Sequence, residues 1–198
     1  RDLLMAAAAT VADRQPVHVL DLGCGTGSNL RAMAPQLGPE QHWRLVDHDP
    51  LLLATAREAL RRWADAILAD DGDGLVLSAR GQRIAVTFVE HDLSGGIGPL
   101  LAVPTDLVTA AALFDLVSPA WIDAFAQVVA AARLPFYTAL TYDGREAWEP
   151  PHPDDEAVHG AFLAHQQRDK GFGPAAGPRA TALLAQGFCV QRGEVDAV

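Results

Sequence analysis

Apolar positions in this chain fall into two alternating rhythms. Val17, Val19, Leu20 and Leu22 make a short, nearly continuous apolar run, the pattern of a parallel strand covered on both faces. Comparable strand runs are read at 42–47, 83–90, 105–111 and 134–141, with a shorter one at 75–79 joined to the 83–90 run by the tight turn Arg80-Gly81-Gln82. Between them lie helical stripes. Leu52, Ala56, Ala59, Leu60 and Trp63 mark a helix from 51 to about 68, and others are read at 2–13, 28–36, 120–132, 156–168 and 177–186. A last strand is expected at 188–191. Stop and start signals agree with these bounds: Gln15-Pro16 ends the first helix, Pro50 suits the first position of the third, and Ser118-Pro119 opens the one at 120. Ser28 and Asn29 are expected to cap the helix that follows Gly27. Strands alternating with helices at this spacing predict an α/β fold, a doubly wound, mostly parallel sheet with helices on both faces.

Composition narrows what such a fold is used for. The 198 residues are 49% hydrophobic and 20% charged, which predicts one globular domain over 1–198 able to bury about 70% of its unfolded surface. The sequence starts at Arg1 and stops in apparent strand material, so a domain trimmed at both ends is expected, with an exposed sheet edge that would favour a homodimer. The formal charge is −10, from 25 acidic and 15 basic side chains. That balance repels phosphate backbones and disfavours a nucleic-acid partner. Lys170 is the only lysine, which argues against Schiff-base chemistry. Cys24 and Cys189 have neither metal-ligand spacing nor a disulfide framework and point to a reducing cytoplasm. No apolar run approaches ~18 residues, so no membrane association is expected.

The chemistry concentrates where the first strand ends. Gly23, Gly25 and Gly27 follow Asp21 within six residues; three glycines here permit positive φ and let a ligand approach the backbone with no Cβ between them. The helix that opens next aims its first amides at whatever lies over the turn. A nucleotide cradle is the expectation. A dinucleotide fingerprint would read G-x-G-x-x-G, and here Ser28 stands where the third glycine belongs. A phosphate-binding loop of the Gly-Lys-Ser/Thr type is absent.

The stretch Asp21-Leu22-Gly23-Cys24-Gly25-Thr26-Gly27 resembles instead the D-x-G-x-G-x-G motif of the class I S-adenosylmethionine-dependent methyltransferases, which have a Rossmann-like fold. The resemblance extends over roughly residues 3–193. It implies S-adenosylmethionine as methyl donor and S-adenosylhomocysteine as product. It also implies that Asp21, Gly23, Cys24, Gly25 and Gly27 line the donor's seat. Asp47, at the end of the second strand, falls where the family binds the ribose hydroxyls, and Asp92 where it contacts the adenine amino group, with Leu93 against the ring. His48 either flanks the adenine or is simply exposed. Ala110, late in the 105–111 strand, lies near the expected methyl position. Read on their own, Asp47 is a helix cap, Asp92 a turn former and Cys24 a small wall residue rather than a nucleophile.

An acceptor pocket is expected at the carboxyl ends of the strands at 105–111 and 134–141, lined by Ala111, Phe114, Asp115, Tyr142, Asp143 and Trp148. Asp115 or Tyr142 could orient or deprotonate a small-molecule acceptor through oxygen or nitrogen; each could equally be a cap or a wall. His152, His159 and His165 are spaced too irregularly for one helical face and read as solvated or lid residues, with no metal site. The acidic run Asp70-Asp71-Gly72-Asp73-Gly74 reads as a surface turn. Two other readings keep the nucleotide seat: transfer of an aminopropyl group, and a non-catalytic regulatory module.

Overall fold

The computed structural model describes residues 2–72 and 74–192. In chain order the elements are α1 (Asp2–Ala9), β1 (Val17–Leu22), α2 (Ser28–Met33), β2 (Glu40–Asp47), α3 (Pro50–Trp63), β3 (Ala66–Asp71), β4 (Gly74–Ala79), β5 (Gln82–Glu90), β6 (Leu107–Ala111), α4 (Pro119–Ala131), β7 (Phe136–Ala139), α5 (Asp155–Gln166) and α6 (Ala180–Arg192). Seven strands form one sheet in the order β3-β4-β5-β2-β1-β6-β7. β5, β2, β1 and β6 pair in parallel, while β3, β4 and β5 form an antiparallel meander at one edge. The direction of winding reverses between β1 and β6, which is the switch point of a doubly wound sheet and opens a crevice at the strands' carboxyl ends.

The chain divides into two compact units, the first running to Ala111 and including Ala132–Thr138, the second comprising Ala112–Ala131 and Ala139 onward. The first unit is built around β1. Val17 and Val19 face one side with Leu30, Met33, Trp43, Leu45, Ala56 and Leu60, all buried; Leu20 and Leu22 are buried on the other side. This two-sided burial is why the strand reads as a continuous apolar run. Gln41 is a buried polar residue of this unit with every bond matched: its Nε2 donates to the carbonyls of Ala34 and Gly38, and its Oε1 accepts from Trp43 Nε1 at 2.8 Å. With both ends of the amide bonded, burial leaves no polar atom of Gln41 unmatched.

In the second unit Trp121 and Phe125 of α4 stack at 5.4 Å, with Phe172 edge-on to Trp121 and Phe188 of α6 edge-on to Phe125. The expected strand at 188–191 is therefore a continuation of α6. Gly187, just before that stretch, is where α6 crosses α4: a Cβ there would lie 2.9 Å from Ala126 Cβ. Gly187→Val should overpack this crossing and lower stability by about 1–3 kcal/mol in chemical denaturation; an unchanged midpoint would mean that the helices are not in close contact.

Two other expectations shift. The third helix ends at Trp63 instead of running to 68, because Ala64 turns extended and the chain enters β3. Asp70 and Asp71 of the acidic stretch are then the end of that strand rather than a free turn. Arg57 and Arg61 of α3 both bind the Asp70 carboxylate, and Arg57 also donates to the carbonyls of Gly72 and Gly74. Among the described residues no helix is long and apolar enough to cross a membrane.

Candidate active site

Between β1 and α2 the chain makes a turn in which Gly23, Gly25 and Gly27 all have positive φ, at 61°, 52° and 70°. The Cys24 amide donates to the Val46 carbonyl and the Gly27 amide to that of Cys24, each at 2.9 Å, so the turn is tied to the end of β2. A Cβ at Gly25 would meet nothing within 4 Å; at this glycine the missing side chain leaves open space rather than a close protein contact. Gly27 itself is the N-cap of α2 and lends no side chain. Asn29, expected as a cap, turns inward instead.

Asn29 Nδ2 donates to Asp21 Oδ1 at 2.8 Å and lies 3.0 Å from the Thr109 hydroxyl. Asp21 is fully buried at the end of β1, and its Oδ2 has no hydrogen-bond partner. Burial disfavours the charged form more than the Asn29 bond favours it, and the Asp47 charge adds to the effect, so the carboxyl is pushed up to about 7. A buried oxygen of this kind is costly to leave unmatched, and it seeks a donor at the turn. Thr109, 80 residues from Asn29, completes the cluster. No local signal identifies it; it is found only by the register that sets Thr109 beside Asp21 across β6 and β1.

Asp47 ends β2 and is buried. Its Oδ2 accepts the Gly25 amide at 2.9 Å and its Oδ1 the Asp49 amide at 3.1 Å, while its backbone carbonyl takes the His91 amide. An ionised carboxylate has about four lone-pair positions, so each oxygen can accept a further hydroxyl. The helix-capping duty falls to Asp49, whose side chain accepts the Leu51 amide ahead of Pro50. His48 is largely exposed, with Nδ1 3.3 Å from Asp47 Oδ1.

The remaining candidates of this unit are disposed differently. Asp92 is exposed and caps a short 3-10 turn by accepting the Ser94 amide at 2.8 Å, which holds its carboxyl below the usual range. Leu93 beside it is buried, as is Ala110 within β6. The Cys24 thiol is buried and pushed up by desolvation and by Asp21 and Asp47, the condition of an inert wall residue. An open hollow of about 560 Å³ lies elsewhere, between Pro50, Leu53, Ala54 and Arg57 of α3 and Thr87–Glu90 of β5. Its cation, Arg57, sits over the Phe88 ring and is committed to the β3–β4 hairpin, so the hollow lacks the converging polar groups of the glycine turn.

In the second unit Asp115 is buried, its Oδ1 has no partner, and desolvation raises its carboxyl against hydrogen bonds from its own backbone and from that of Tyr142. Tyr142 packs edge-on against Phe162 of α5 with ring centres 5.1 Å apart. Its hydroxyl donates to Glu146 Oε1 at 2.8 Å and is pushed up to about 12, mainly by desolvation and then by Glu146. Tyr142 is thus a hydrogen-bonding group that keeps its proton. His159, read from the sequence as a solvated or lid residue, is half-buried with Nε2 3.2 Å from the Gly144 carbonyl and 3.5 Å from the Tyr142 hydroxyl. Asp143 is tied to Arg145, and Trp148 is exposed. No three His, Cys, Asp or Glu side chains among the described residues are grouped to hold a metal ion.

Comparison with known proteins agrees with this geometry. A family model described as a methyltransferase domain matches residues 19–133, more than half of the chain. Over 103 residues the chain is 33% identical to the ribosomal RNA small subunit methyltransferase H of Halorhodospira halophila (strain DSM 244 / SL1), a match covering 52% of this chain and 29% of that protein. The plantazolicin methyltransferase BpumL, solved with SAH, superposes with a TM-score of 0.55 at 14% identity, over 96% of this chain and 62% of that one. The mitomycin 7-O-methyltransferase MmcR gives 0.52 at 16% identity, over 94% and 47%. The chain thus spans less than two thirds of each of these proteins, and at such identities the structures speak for the fold. Taken with the glycine turn and the strand order, the family match means that the chain belongs to the class I S-adenosylmethionine-dependent methyltransferases.

Proposed function

We propose that this chain transfers a methyl group from S-adenosylmethionine to a hydroxyl or amine of a small-molecule acceptor. The observation that carries the reading is the convergence of two carboxylates on one glycine turn, Asp21 from β1 and Asp47 from β2, one with an orphaned buried oxygen and the other with lone pairs to offer. These residues fit the donor: Asp21 and the turn would hold its amino-acid end, Asp47 its ribose hydroxyls, and His48, Asp92 and Leu93 its adenine. When bound, S-adenosylmethionine supplies a methyl carbon already activated by the sulfonium, so the chain's own task is alignment and exclusion of water. Asp115 and Tyr142 are the residues assigned to the acceptor. A small acceptor is favoured over a nucleic acid because the net charge of −10 opposes a polyanion. Two structural neighbours are named for methylation of mitomycin and of plantazolicin, while the match to the ribosomal RNA enzyme covers only about half of this chain.

Calorimetric titration with S-adenosylmethionine, S-adenosylhomocysteine and NAD tests the donor assignment: the first two should bind and NAD should not. Asp47→Ala should weaken S-adenosylmethionine by about ten- to a hundredfold, the loss of one or two charge-assisted hydrogen bonds. Unchanged affinity in a folded variant would remove Asp47 from the ribose site.

A further inference from the structure

We infer that Asn29 and Thr109 are positioning residues that keep one oxygen of Asp21 open for a ligand's ammonium group, and that Asp21 releases a proton to solvent when that group arrives. The inference rests on the reading of the glycine turn as the S-adenosylmethionine seat and adds how the amino-acid end would be recognised.

Counting donors explains why the oxygen stays open. The Asn29 amide has two N–H groups. One goes to Asp21 Oδ1 at 2.8 Å and the other to the Thr109 hydroxyl oxygen at 3.0 Å. The Thr109 hydroxyl proton in turn goes to the Met33 sulfur at 3.3 Å. Every side-chain donor of the cluster is spent, and among the described residues no further one reaches Asp21 Oδ2. All four side chains are buried, so bulk water does not make up the deficit. With its second proton committed to Thr109, Asn29 serves a single oxygen of Asp21.

The surroundings of Asp21 also oppose its charge. Three elements bear on this β1 residue. Asn29 of α2 and Thr109 of β6 are neutral, and Asp47 at the end of β2 is a second acid. The Cys24 thiol of the turn is the other titratable group in its field, and burial keeps that thiol protonated. No basic side chain is among the groups that move the titration of Asp21. Full burial, one hydrogen bond and an acidic neighbour together favour the neutral carboxyl, which titrates at about 7.

With an ammonium group beside it, Oδ2 gains N–H donors, directly or through one ordered water, and the carboxylate gains the countercharge that the interior lacks. Asp21 then ionises. The proton leaves the carboxyl for the solvent buffer, and no other bond is made or broken. Such a seat prefers a nucleoside that bears a cationic amine to one that does not, and holds it more tightly as the solution becomes less acidic.

The probe is S-adenosylhomocysteine, titrated calorimetrically in buffers of different ionisation enthalpy. 5′-Methylthioadenosine, which has the nucleoside but no amino group, carries any contribution of His48 and supplies the baseline. At pH 7 wild type should release about half a proton beyond that baseline. Affinity should rise about eightfold from about pH 6 to 7.5, following the ionised fraction of a group that titrates at about 7. Asp21→Asn should abolish both effects. Asn29→Ala removes the donor to the carboxyl and should move the midpoint of the affinity–pH curve upward. Thr109→Val, of similar volume, frees the second Asn29 N–H to turn to Asp21 and should move the midpoint downward. Independently of any variant, 13C NMR of the Asp21 carboxyl should show it titrating at about 7 in the free protein and ionised throughout this range with S-adenosylhomocysteine bound. A titration that the ligand leaves unchanged, or proton release no greater than the baseline, would overturn the inference and leave the methyltransferase reading intact. So would variants at 29 and 109 that weaken binding without moving the midpoint, since both residues would then be structural. Wild type that binds neither compound would overturn both.

Discussion

Gly25→Val should leave a folded protein that has lost about a thousandfold in affinity for S-adenosylmethionine. The two halves of that result have separate causes. On the protein side, the position costs little: φ is +52° and a Cβ placed on Gly25 has no atom within 4 Å, so the penalty is the left-handed backbone alone, about 1–2 kcal/mol. On the ligand side, the branched side chain would stand in the space through which a ligand reaches the turn's backbone. It would also disturb the Gly25 amide that holds Asp47 Oδ2 at 2.9 Å. Together these losses are set at roughly 4 kcal/mol, which is the thousandfold. Thermal unfolding and calorimetry on one preparation separate the effects. A variant that folds and binds the donor normally would move the binding site away from this turn.

Asp21→Asn should reshape the pH dependence of stability. The wild-type carboxyl titrates at about 7 in the folded protein and near 3.8 when exposed on unfolding. Below pH 3.8 both states hold the proton and the group is neutral in its effect. Between 3.8 and 7 the unfolded state releases its proton first, so stability falls as pH rises, and above 7 the full loss is in place. The span corresponds to roughly 4 kcal/mol. Asparagine cannot ionise, yet its side-chain oxygen can still accept from Asn29. The stability of the variant minus that of wild type should therefore grow from about pH 4 to about pH 7 and then level off, in denaturant titrations run without donor. A difference independent of pH would mean that Asp21 is ionised throughout this range.

The core of the first unit was legible because its signals are local and periodic. The apolar run at 17–22 is buried on both faces as it reads, Pro50 opens α3 with Asp49 as its cap, and the tight turn at 80–82 joins β4 to β5. Asp47 could be placed at the end of a strand from its neighbours alone. What the sequence hides are elements made by distant partners. β3 is exposed along its whole length, so it has no alternation to read, and it is held by two arginines that a helical stripe conceals on α3. The strand expected at 188–191 is helical because Phe188 has Phe125 to pack against and Gly187 permits the crossing. Asn29 has the look of a cap, and only Asp21 and Thr109 explain why it faces inward. The half-buried setting of His159 comes from the preceding loop, whose Gly144 carbonyl lies 3.2 Å from its Nε2.

Asp47 does more than offer oxygens to one end of a ligand. One of its oxygens is anchored to the glycine turn through Gly25 and the other to the entrance of α3 through Asp49. A molecule that engages this carboxylate therefore also bears on the glycine turn, the segment proposed to receive the donor's amino-acid end. On the proposed assignment, the nucleoside half and the methionine half of the donor would be coupled through a single side chain, and linkage would make that coupling reciprocal. Such a seat would discriminate by wholeness: a nucleoside or an amino acid alone would engage half of a hydrogen-bonded unit, and only a molecule carrying both would set the two halves at once.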